Sequence, residues 1–343
     1  MSNLKAGIVG GSSLLAGLLI EMLDTHPLVD LVYIESEHHS GKPLGQVHQF
    51  LKMAYKSKKF EKFSSDFILK HLDVVFVCKP HRDSMKYVKQ LYNEKIKIID
   101  LSGDFRLKDI EEYEKWYGAK HIASMLLSKA VYGLSEIYTE KIKRSFLVAN
   151  PGCYPTGILL SLYPLLKNKA IHFQDIFIVS YSGVSGAGRN PIPGKNLFMD
   201  AFNNIIAYKV TDHQHTPEIE AYLSDFAGKE ISLNFVPHIT SIENGIFNTI
   251  IVKPQKTMTE NDYYNFYEKS YSKCKFIEIH KDRIPQVKDV VNTNFCRIAL
   301  KADERTGHLL VFSVIDNRIK GGAGQAVQNM NLMFGFPEET GLI

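Results

Sequence analysis

Residues 4–24 read LKAGIVGGSSLLAGLLIEMLD, and this stretch decides the predicted fold. The apolar run 4–10 predicts a buried strand, GGSS at 10–13 a tight turn, and the spacing of the following leucines a helix that ends before Pro27. A strand, a glycine-rich turn and a helix in this order aim main-chain N–H groups and a helix dipole at an anion. The order is typical of a dinucleotide-binding site, with a plain tight turn as the alternative.

The rest of the chain predicts two kinds of sheet. Apolar strands alternate with helices as far as about residue 150, which favours a parallel sheet covered on both faces. Beyond that point strand-like segments follow one another closely, which favours an antiparallel or mixed sheet. These later segments are 175–183, 247–254, 274–280, 295–303 and 308–317. We therefore predict an α/β protein, with an N-terminal Rossmann-type parallel sheet (1–150) and an α+β domain (151–317).

Composition excludes several classes of protein. The 343 residues include 41 Lys+Arg and 37 Asp+Glu, and the net charge of +4 without a dense basic stripe argues against a nucleic-acid partner. With 45% hydrophobic and 23% charged residues, the chain is expected to be globular rather than disordered. Four scattered cysteines, none in a CxxC pair, predict neither a metal site nor a disulfide framework. We see no signal peptide and no run of about 18 apolar residues, so we expect a cytoplasmic protein without a membrane partner.

Residues 150–157, NPGCYPTG, contain the most distinctive feature. A strand-like VAN meets a Pro-Gly turn, and Cys153 then stands at the start of an apolar helix. A thiol at a helix N-terminus is more readily ionised, and the thiolate is the reactive nucleophile. The alternative, a small buried apolar cysteine, suits Cys78 better, because Cys78 lies inside an apolar strand.

A nucleophile needs a proton-transfer partner, and histidine is the usual one at neutral pH. Among 13 histidines, His213 and His215 are the best candidates, since they stand just before an amphipathic helix. The residues alone do not choose between them. A Gly/Ser loop, SGVSGAGR at 182–189, ends in Arg189, which would hold a carboxylate or phosphate.

Together these motifs resemble one family, the N-acetyl-gamma-glutamyl-phosphate reductases of arginine biosynthesis, within the aspartate-semialdehyde dehydrogenase-like superfamily. The resemblance spans nearly the whole chain. Its most specific stretches are VANPGCYPTG (148–157), SGVSGAGR (182–189), HQHTPEIE (213–220) and KGGAGQAVQNMN (320–331). It implies NADPH-dependent reduction of the acyl phosphate to N-acetyl-glutamate 5-semialdehyde, a homo-oligomer (dimer or tetramer), and a C-terminal helix (318–343) that returns to the first domain.

The resemblance also implies roles for individual residues. Cys153 would be the catalytic nucleophile and His215 the acid–base. The cofactor would be bound by Gly10, Gly11, Ser12, Ser13, Ser36, Pro80, Ser102, Gly186, Asn317 and Gly322. The substrate would be bound by Arg106, Asn150, Ser182, Arg189, His213, Glu218 and His238.

Several positions depart from the family pattern. Ser13 and Ala16 stand where glycines are usual, and a left-handed backbone would be costly for Ser13. Gln214 and Asn244 each replace an arginine, which removes positive charge from the substrate region.

The cofactor remains open between NADP and NAD. NADP is implied by the resemblance. The carboxylates of Glu35 and Glu37 at the end of the second strand favour NAD, while Ser36 and Lys42 leave room for a 2′-phosphate.

Five alternatives stay open. The substrate is the N-succinyl compound, or it is a carrier-linked aminoadipyl phosphate or aspartyl phosphate. The chain is an inactive nucleotide-binding regulatory paralogue, or a cysteine hydrolase that uses no nucleotide.

Overall fold

The protein is described by a computed structural model that covers residues 3–187 and 197–342. The chain forms two compact units. The first contains Met1–Pro151 and Gly322–Ile343, and the second contains Gly152–Gly321. Arg189 lies outside the described residues. Within the two described ranges, no helix has both the length and the hydropathy that crossing a bilayer requires.

The first unit is built on a six-stranded sheet in which every described pairing is parallel. Its strands are β1 (Leu4–Val9), β2 (Val29–Glu35), β3 (Val74–Val77), β4 (Lys97–Asp100), β5 (Val131–Tyr132) and β6 (Leu147–Ala149), in the order β2-β1-β3-β4-β6-β5. Its helices are α1 (Leu14–Asp24), α2 (Met53–Lys56), α3 (Ser65–His71), α4 (Ser84–Leu91), α5 (Ile110–Tyr117), α6 (Ser135–Lys143) and α11 (Gly324–Phe334). The predicted Rossmann-type sheet is confirmed.

Both faces of this sheet are covered, because its strands are apolar at consecutive positions. Ile8 and Phe76 belong to one hydrophobic cluster, and their neighbours Val9 and Val75 belong to another. Successive side chains of a strand point to opposite faces, so the two clusters lie on opposite sides of the sheet. The continuous apolar runs read from the sequence arise from this double burial.

The second unit contains a seven-stranded mixed sheet and four described helices. Its strands are β7 (Phe177–Gly183), β8 (Ile205–Ala207), β9 (Asn234–Thr240), β10 (Ile246–Val252), β11 (Ile277–Ile279), β12 (Cys296–Asp303) and β13 (His308–Ile315), in the order β11-β12-β13-β10-β7-β9-β8. Its helices are α7 (Cys153–Lys167), α8 (Leu197–Ala201), α9 (His215–Ala227) and α10 (Glu260–Tyr271). The predicted α+β domain is confirmed. Strand β9 was not predicted, and its Pro237 argues against a strand in sequence.

Helix α7 is held on this sheet by a buried polar row. Ser180, Asn248 and Ser313 lie side by side on β7, β10 and β13. Ser180 Oγ donates to Asn248 Oδ1 at 2.6 Å, and Asn248 Nδ2 donates to Ser313 Oγ at 3.0 Å. Ser313 Oγ reaches the carbonyl of Gly157 on α7 at 3.3 Å, and a Cβ on Gly157 would lie 2.6 Å from Asn248 Nδ2. The helix that starts with Cys153 therefore has a defined position on the sheet.

Pro164 lies inside α7. A proline has no N–H to donate to the carbonyl four residues earlier, here that of Leu160. The hydroxyl of Tyr271 on α10 donates to that carbonyl at 2.5 Å instead. The neighbouring carbonyl of Ser161 accepts from Tyr267. Two buried tyrosines of α10 thus supply donors to α7 around Pro164.

Candidate active site

Cys153 is the first residue of α7 and is neither fully buried nor fully exposed. Gly152 precedes it in an extended conformation (φ −68°, ψ 155°) and is the N-cap. A helix N-terminus favours the thiolate over the thiol, and reactive cysteines are typically partly exposed, as Cys153 is. Cys78 and Cys296 are buried, and burial raises the pKa of Cys78 well above its ordinary value. The structure therefore gives Cys153 the surroundings of a nucleophile and Cys78 those of a core residue.

His213 and His215 lie at the start of α9, with ring centroids 4.8 Å apart. The N–H of His215 donates to Nδ1 of His213 at 3.0 Å, so His213 accepts a hydrogen bond at the helix N-terminus. His213 is buried, whereas His215 as a residue is partly exposed, with its Nδ1 enclosed. This difference favours His215 for proton exchange with a ligand and His213 for holding the turn.

Tyr154 connects the cysteine with the two histidines. Its ring contacts those of His213 and His215 edge-on, at centroid distances of 5.6 and 5.9 Å. Tyr208 donates its hydroxyl hydrogen to the Tyr154 oxygen at 3.2 Å. Burial raises the pKa of both tyrosines, so both phenols stay protonated at neutral pH. Neither tyrosine is predicted from the sequence to lie at the site; adjacency to Cys153 is a signal for Tyr154, and nothing in the sequence points to Tyr208.

Glu218 lies on α9 one turn beyond His215 and is fully buried. Its Oε1 accepts a hydrogen bond from the main-chain N–H of Gly152 at 2.8 Å. The structure therefore brings Glu218 to the main chain next to Cys153. Because the Glu218 side chain is fully buried, the structure does not favour the substrate contact that the resemblance implies.

Three predicted residues meet at the end of β7. A Cβ on Gly186 would lie 3.0 Å from Ser182 Oγ and 3.5 Å from Asn317 Nδ2. Asn317 accepts from the N–H of Gly245 at 2.6 Å and donates to Ser185 Oγ at 3.0 Å. The side-chain amide of Asn317 is thus held in place by two bonds within this unit.

The side chain of His238 does not face the Cys153 helix, although the His238 carbonyl accepts a hydrogen bond from the Tyr154 hydroxyl of that helix at 3.3 Å. Its ring stacks on Tyr181 of the adjacent strand, with centroids 4.9 Å apart. Ser180 and Ser182 point to the other face of the sheet, where Ser180 joins the polar row under α7. Strand alternation therefore puts the His238 side chain on the face opposite to that helix, and its substrate contact stays a prediction.

The predicted nucleotide loop, residues 10–13, follows β1 in the first unit. Gly10 has φ +91°, and a Cβ there would lie 2.6 Å from the carbonyl oxygen of Cys78, so this position requires glycine. Ser13 is instead extended (φ −70°, ψ 158°) and caps α1, its Oγ accepting from the N–H of Ala16 at 3.1 Å. The cost expected for a left-handed Ser13 is therefore absent. The turn and the capped helix fit a dinucleotide phosphate.

Glu35 supports this loop from the end of β2. Its Oε2 accepts from the N–H of Gly10 at 2.8 Å, and its carboxylate pairs with Lys79 Nζ at 3.1 Å. The Glu35 side chain is 1% exposed, and its carboxylate is already bonded to Gly10 and Lys79. Glu37 is exposed and lies within 3.4 Å of the Tyr87 hydroxyl. Of the two carboxylates, that of Glu37 is the exposed one.

The other cofactor candidates of this unit follow the carboxyl ends of neighbouring parallel strands. Ser36 follows β2 and is buried, Pro80 comes shortly after β3 and is exposed, and Ser102 follows β4. Ser102 Oγ donates to Asp100 Oδ2 at 2.7 Å. The ends of parallel strands meet at one edge of a sheet, which is where such folds bind ligands.

Arg106 and Asn150 are buried and bound to protein groups. Arg106 donates to the carbonyls of Asn150 and Leu101 at 2.8 and 3.2 Å. Asn150 Nδ2 donates to the carbonyl of Gly322 at 3.1 Å, and its Oδ1 accepts from Asn329 at 3.0 Å. These bonds favour a role in holding the main chain before Cys153 over direct contact with substrate.

One departure from the family pattern has a local partner. Gln214 accepts a hydrogen bond from Lys209 Nζ at 2.8 Å, so a cation lies beside the HQH segment although its arginine is missing. Asn244 is buried in the turn between β9 and β10.

Comparison with known proteins agrees with this division of the chain. The model of the semialdehyde dehydrogenase NAD binding domain matches residues 5–145, and that of the semialdehyde dehydrogenase dimerisation domain matches residues 153–317. Among solved structures, aspartate semialdehyde dehydrogenase II from Vibrio cholerae, complexed with ASA, has a TM-score of 0.73 at 16% identity, over 98% of this chain and 99% of that one. The NADP complex of aspartate semialdehyde dehydrogenase from Candida albicans has a TM-score of 0.71 at 14% identity, over 97% and 99%. These two likenesses show the fold.

Relatives at higher identity share one name, N-acetyl-gamma-glutamyl-phosphate reductase. The protein of that name from Alkaliphilus metalliredigens is 44% identical over 99% of this chain and 98% of its own length. Those from Halothermothrix orenii and Campylobacter jejuni are 43% and 42% identical, with the same coverage. The chain belongs to the N-acetyl-gamma-glutamyl-phosphate reductase family.

Proposed function

We propose that this protein reduces N-acetyl-gamma-glutamyl phosphate to N-acetyl-glutamate 5-semialdehyde and phosphate, with NADPH as the reductant and Cys153 as the nucleophile. The observation that carries the proposal is the partly exposed Cys153 at the first position of α7, whose neighbour Tyr154 contacts His215 at the start of α9. Family membership supports the same reaction.

The first step forms a thioester. The thiolate of Cys153 attacks the γ-carbonyl carbon, the carbon–oxygen bond to phosphate breaks, and phosphate leaves with the bonding electron pair. The first turn of a helix carries N–H groups without a carbonyl partner inside the helix, and these would stabilise the developing oxyanion. Pro155 has no N–H, so the Tyr154 N–H is one candidate in this turn.

The second step releases the aldehyde. When bound, the nicotinamide supplies the hydride that the thioester carbon accepts. The oxyanion of the resulting thiohemiacetal then collapses, the carbon–sulfur bond breaks, and Cys153 leaves as thiolate. We assign proton transfer at the thiohemiacetal oxygen to His215, which donates a proton to this oxygen as the hydride arrives and takes it back as the carbonyl re-forms; His215 is partly exposed and its ring contacts Tyr154.

A substrate with a phosphate and carboxylate needs cations nearby. Lys209, bound to Gln214 at 2.8 Å, is a described cation next to the histidine pair. Arg189 is the other candidate from the sequence, and it lies outside the described residues.

Loop residues 10–13 and the residues after β2, β3 and β4 would hold the dinucleotide in the first unit. NADP is proposed from the family resemblance. Glu37 opposes a 2′-phosphate electrostatically, which predicts weaker selectivity for NADP over NAD than an arginine would give. Reduced thiols suit the cytoplasm, where we propose that the protein works.

We also propose a homo-oligomer formed through the sheet of the second unit. Val179, Thr249 and Phe312 lie side by side on β7, β10 and β13, in the middle of the sheet, yet are only partly buried. The next row, Phe177, Ile251 and Leu310, is equally apolar. A second copy of this chain is the proposed occupant, because the family model of this region describes a dimerisation domain.

The reaction is tested in reverse, with N-acetyl-glutamate 5-semialdehyde, phosphate and either NADP⁺ or NAD⁺, by absorbance of the reduced nicotinamide. We expect a signal from the wild type and none from Cys153→Ser, while both bind NADPH by fluorescence titration. Turnover by Cys153→Ser would contradict the covalent mechanism. No wild-type signal with either nucleotide would favour an inactive paralogue, and no NADPH binding would favour a hydrolase.

Substrate choice is tested in the same assay. We compare the aldehydes that correspond to N-acetyl-glutamate, N-succinyl-glutamate, carrier-linked aminoadipate and aspartate. A higher kcat/KM for any of the last three would replace the proposed acyl group.

A further inference from the structure

Glu218 is bonded to the main chain that carries the proposed nucleophile. Its side chain is fully buried, and Oε1 accepts the Gly152 N–H at 2.8 Å. Gly152 is the N-cap of α7 and directly precedes Cys153. A hydrogen bond from a main-chain N–H to a carboxylate is stronger than one between neutral groups.

The same carboxylate belongs to the helix that begins with His215. Residues three apart on a helix lie on one side of it, so Glu218 and His215 share a side of α9. One hydrogen bond therefore joins the N-terminal turn of α7 to the N-terminal turn of α9. The two turns carry the proposed nucleophile and the proposed acid–base.

We propose that Glu218 is a positioning residue, whose carboxylate holds the Gly152 turn so that Cys153 keeps its place relative to α9. The proposal rests on the function proposed above for Cys153. A direct substrate contact suits Glu218 poorly, since its side chain has no exposure and its charge would repel an anionic substrate. Without the acceptor, the Gly152 N–H would be left buried and the turn free to shift.

The test separates the reach of the side chain from its charge. Glu218→Gln keeps an acceptor oxygen at the same distance and loses the charge. Glu218→Asp keeps the charge and withdraws the oxygen by one methylene. Glu218→Ala removes both. Glu220→Ala is the matched control, because Glu220 on the same helix accepts the Leu233 N–H at 3.0 Å and does not contact Gly152 through any described bond.

Two quantities are measured on the full chain: kcat and KM, and the rate at which iodoacetamide alkylates Cys153 as a function of pH. We expect Ala and Asp at position 218 to lower kcat by about 10²-fold with KM changed less than about threefold, since small misplacements of a reacting group cost this much. We expect both to slow alkylation. Glu218→Gln should stay within about threefold of wild type in both readouts, and Glu220→Ala should match wild type.

The opposite pattern would overturn the proposal. If Asp retains the rates and Gln loses them, charge and not reach is what matters. If KM rises while kcat holds, Glu218 binds substrate. If Glu220→Ala lowers kcat and the alkylation rate as much as Glu218→Ala does, loss of any carboxylate on α9 is harmful, and Glu218 has no specific positioning role. The alkylation rate reports on the Cys153 thiol in the absence of substrate. If the proposed reaction is wrong, the wild type will be inactive, but the variants will still differ in alkylation rate as expected here.

Discussion

The main chain of Gly321 lies against the side chain of Cys153: a Cβ built on Gly321 would be 2.7 Å from Cβ of the cysteine and 3.1 Å from its Cα. Gly321 belongs to a π-helical segment, Ile319–Ala323, and its N–H donates to the carbonyl of Asp316 at 2.9 Å, five residues earlier. The Asp316 carboxylate accepts the N–H groups of Arg318 and Ile319 and so begins the segment. π-Helical turns are rare and frequent at functional sites.

Gly321→Ala should therefore displace Cys153. A contact of 2.7 Å is too short for two carbon atoms, and the neighbouring atom belongs to a residue held by its own helix. We expect kcat to fall by about 10²-fold, as for other small misplacements of a reacting group. Single-turnover kinetics and the alkylation rate of Cys153 measure the effect.

Gly307→Ala is the control for this variant. Gly307 lies between β12 and β13 with φ +71° and open space around the missing side chain. Alanine there should reduce the free energy of unfolding by about 1 kcal/mol without changing kcat. Wild-type kinetics in Gly321→Ala would show that the cysteine tolerates the added methyl group.

His215→Ala should lower kcat by about 10²–10⁴-fold, the usual contribution of a general acid–base. His213→Ala should cost less, because His213 holds the helix turn by accepting the His215 N–H. The pH dependence of kcat distinguishes the two variants. Only loss of the residue that acts as acid–base removes the limb of the pH–rate profile that this residue's ionisation produces. If the rate of His215→Ala is unchanged, the role belongs to another histidine, with His213 the first to examine.

Glu37→Ser should improve NADPH binding. In the proposed NADP site, removing this exposed carboxylate from beside the 2′-phosphate relieves about 1 kcal/mol of repulsion, which is about fivefold in Kd. Binding of NADH should weaken or stay unchanged, because a hydrogen-bond acceptor for the ribose is lost. Fluorescence titration with NADPH and with NADH gives the ratio of the two Kd values.

Glu35→Gln supplies the contrast. Glu35 is bonded to Gly10 and Lys79, so its loss should weaken both nucleotides by similar factors. If Glu35→Gln changes the ratio of the NADPH and NADH Kd values and Glu37→Ser does not, the roles assigned to the two carboxylates are the wrong way round.

Val179→Glu should dissociate the proposed oligomer. It puts a charge in the partly buried row of Val179, Thr249 and Phe312, and a charge desolvated without a partner is strongly unfavourable. Light scattering after size-exclusion chromatography should show the mass fall to that of one chain. Lys229→Glu, which adds the same side chain at an exposed site, should keep the wild-type mass; equal masses for all three proteins would contradict the assigned face.

Local pattern was sufficient for the features that depend on a few consecutive residues. The strand, glycine turn and helix of residues 4–24 form as predicted, because periodicity, a left-handed Gly10 and a capping Ser13 act within a few positions of one another. The start of α7 at Cys153 follows from its own Pro-Gly turn for the same reason. The roles of the site residues were carried by resemblance to a family, and they stay predictions.

Other features depend on residues that are far apart in the chain, and no local signal encodes them. Glu35 and Glu37 are two residues apart in sequence, yet Glu35 is the last residue of β2 and pairs with Lys79 in a buried position, whereas Glu37 lies in the exposed turn that follows. The pairing of β9 with β7 decides that the His238 ring stacks on Tyr181, on the sheet face opposite to α7. Glu218 reaches Gly152 across 66 positions of sequence. The direction of a side chain depends on which segments pack together and bury apolar surface away from water. These segments are distant in sequence, and only the folded chain brings them into contact.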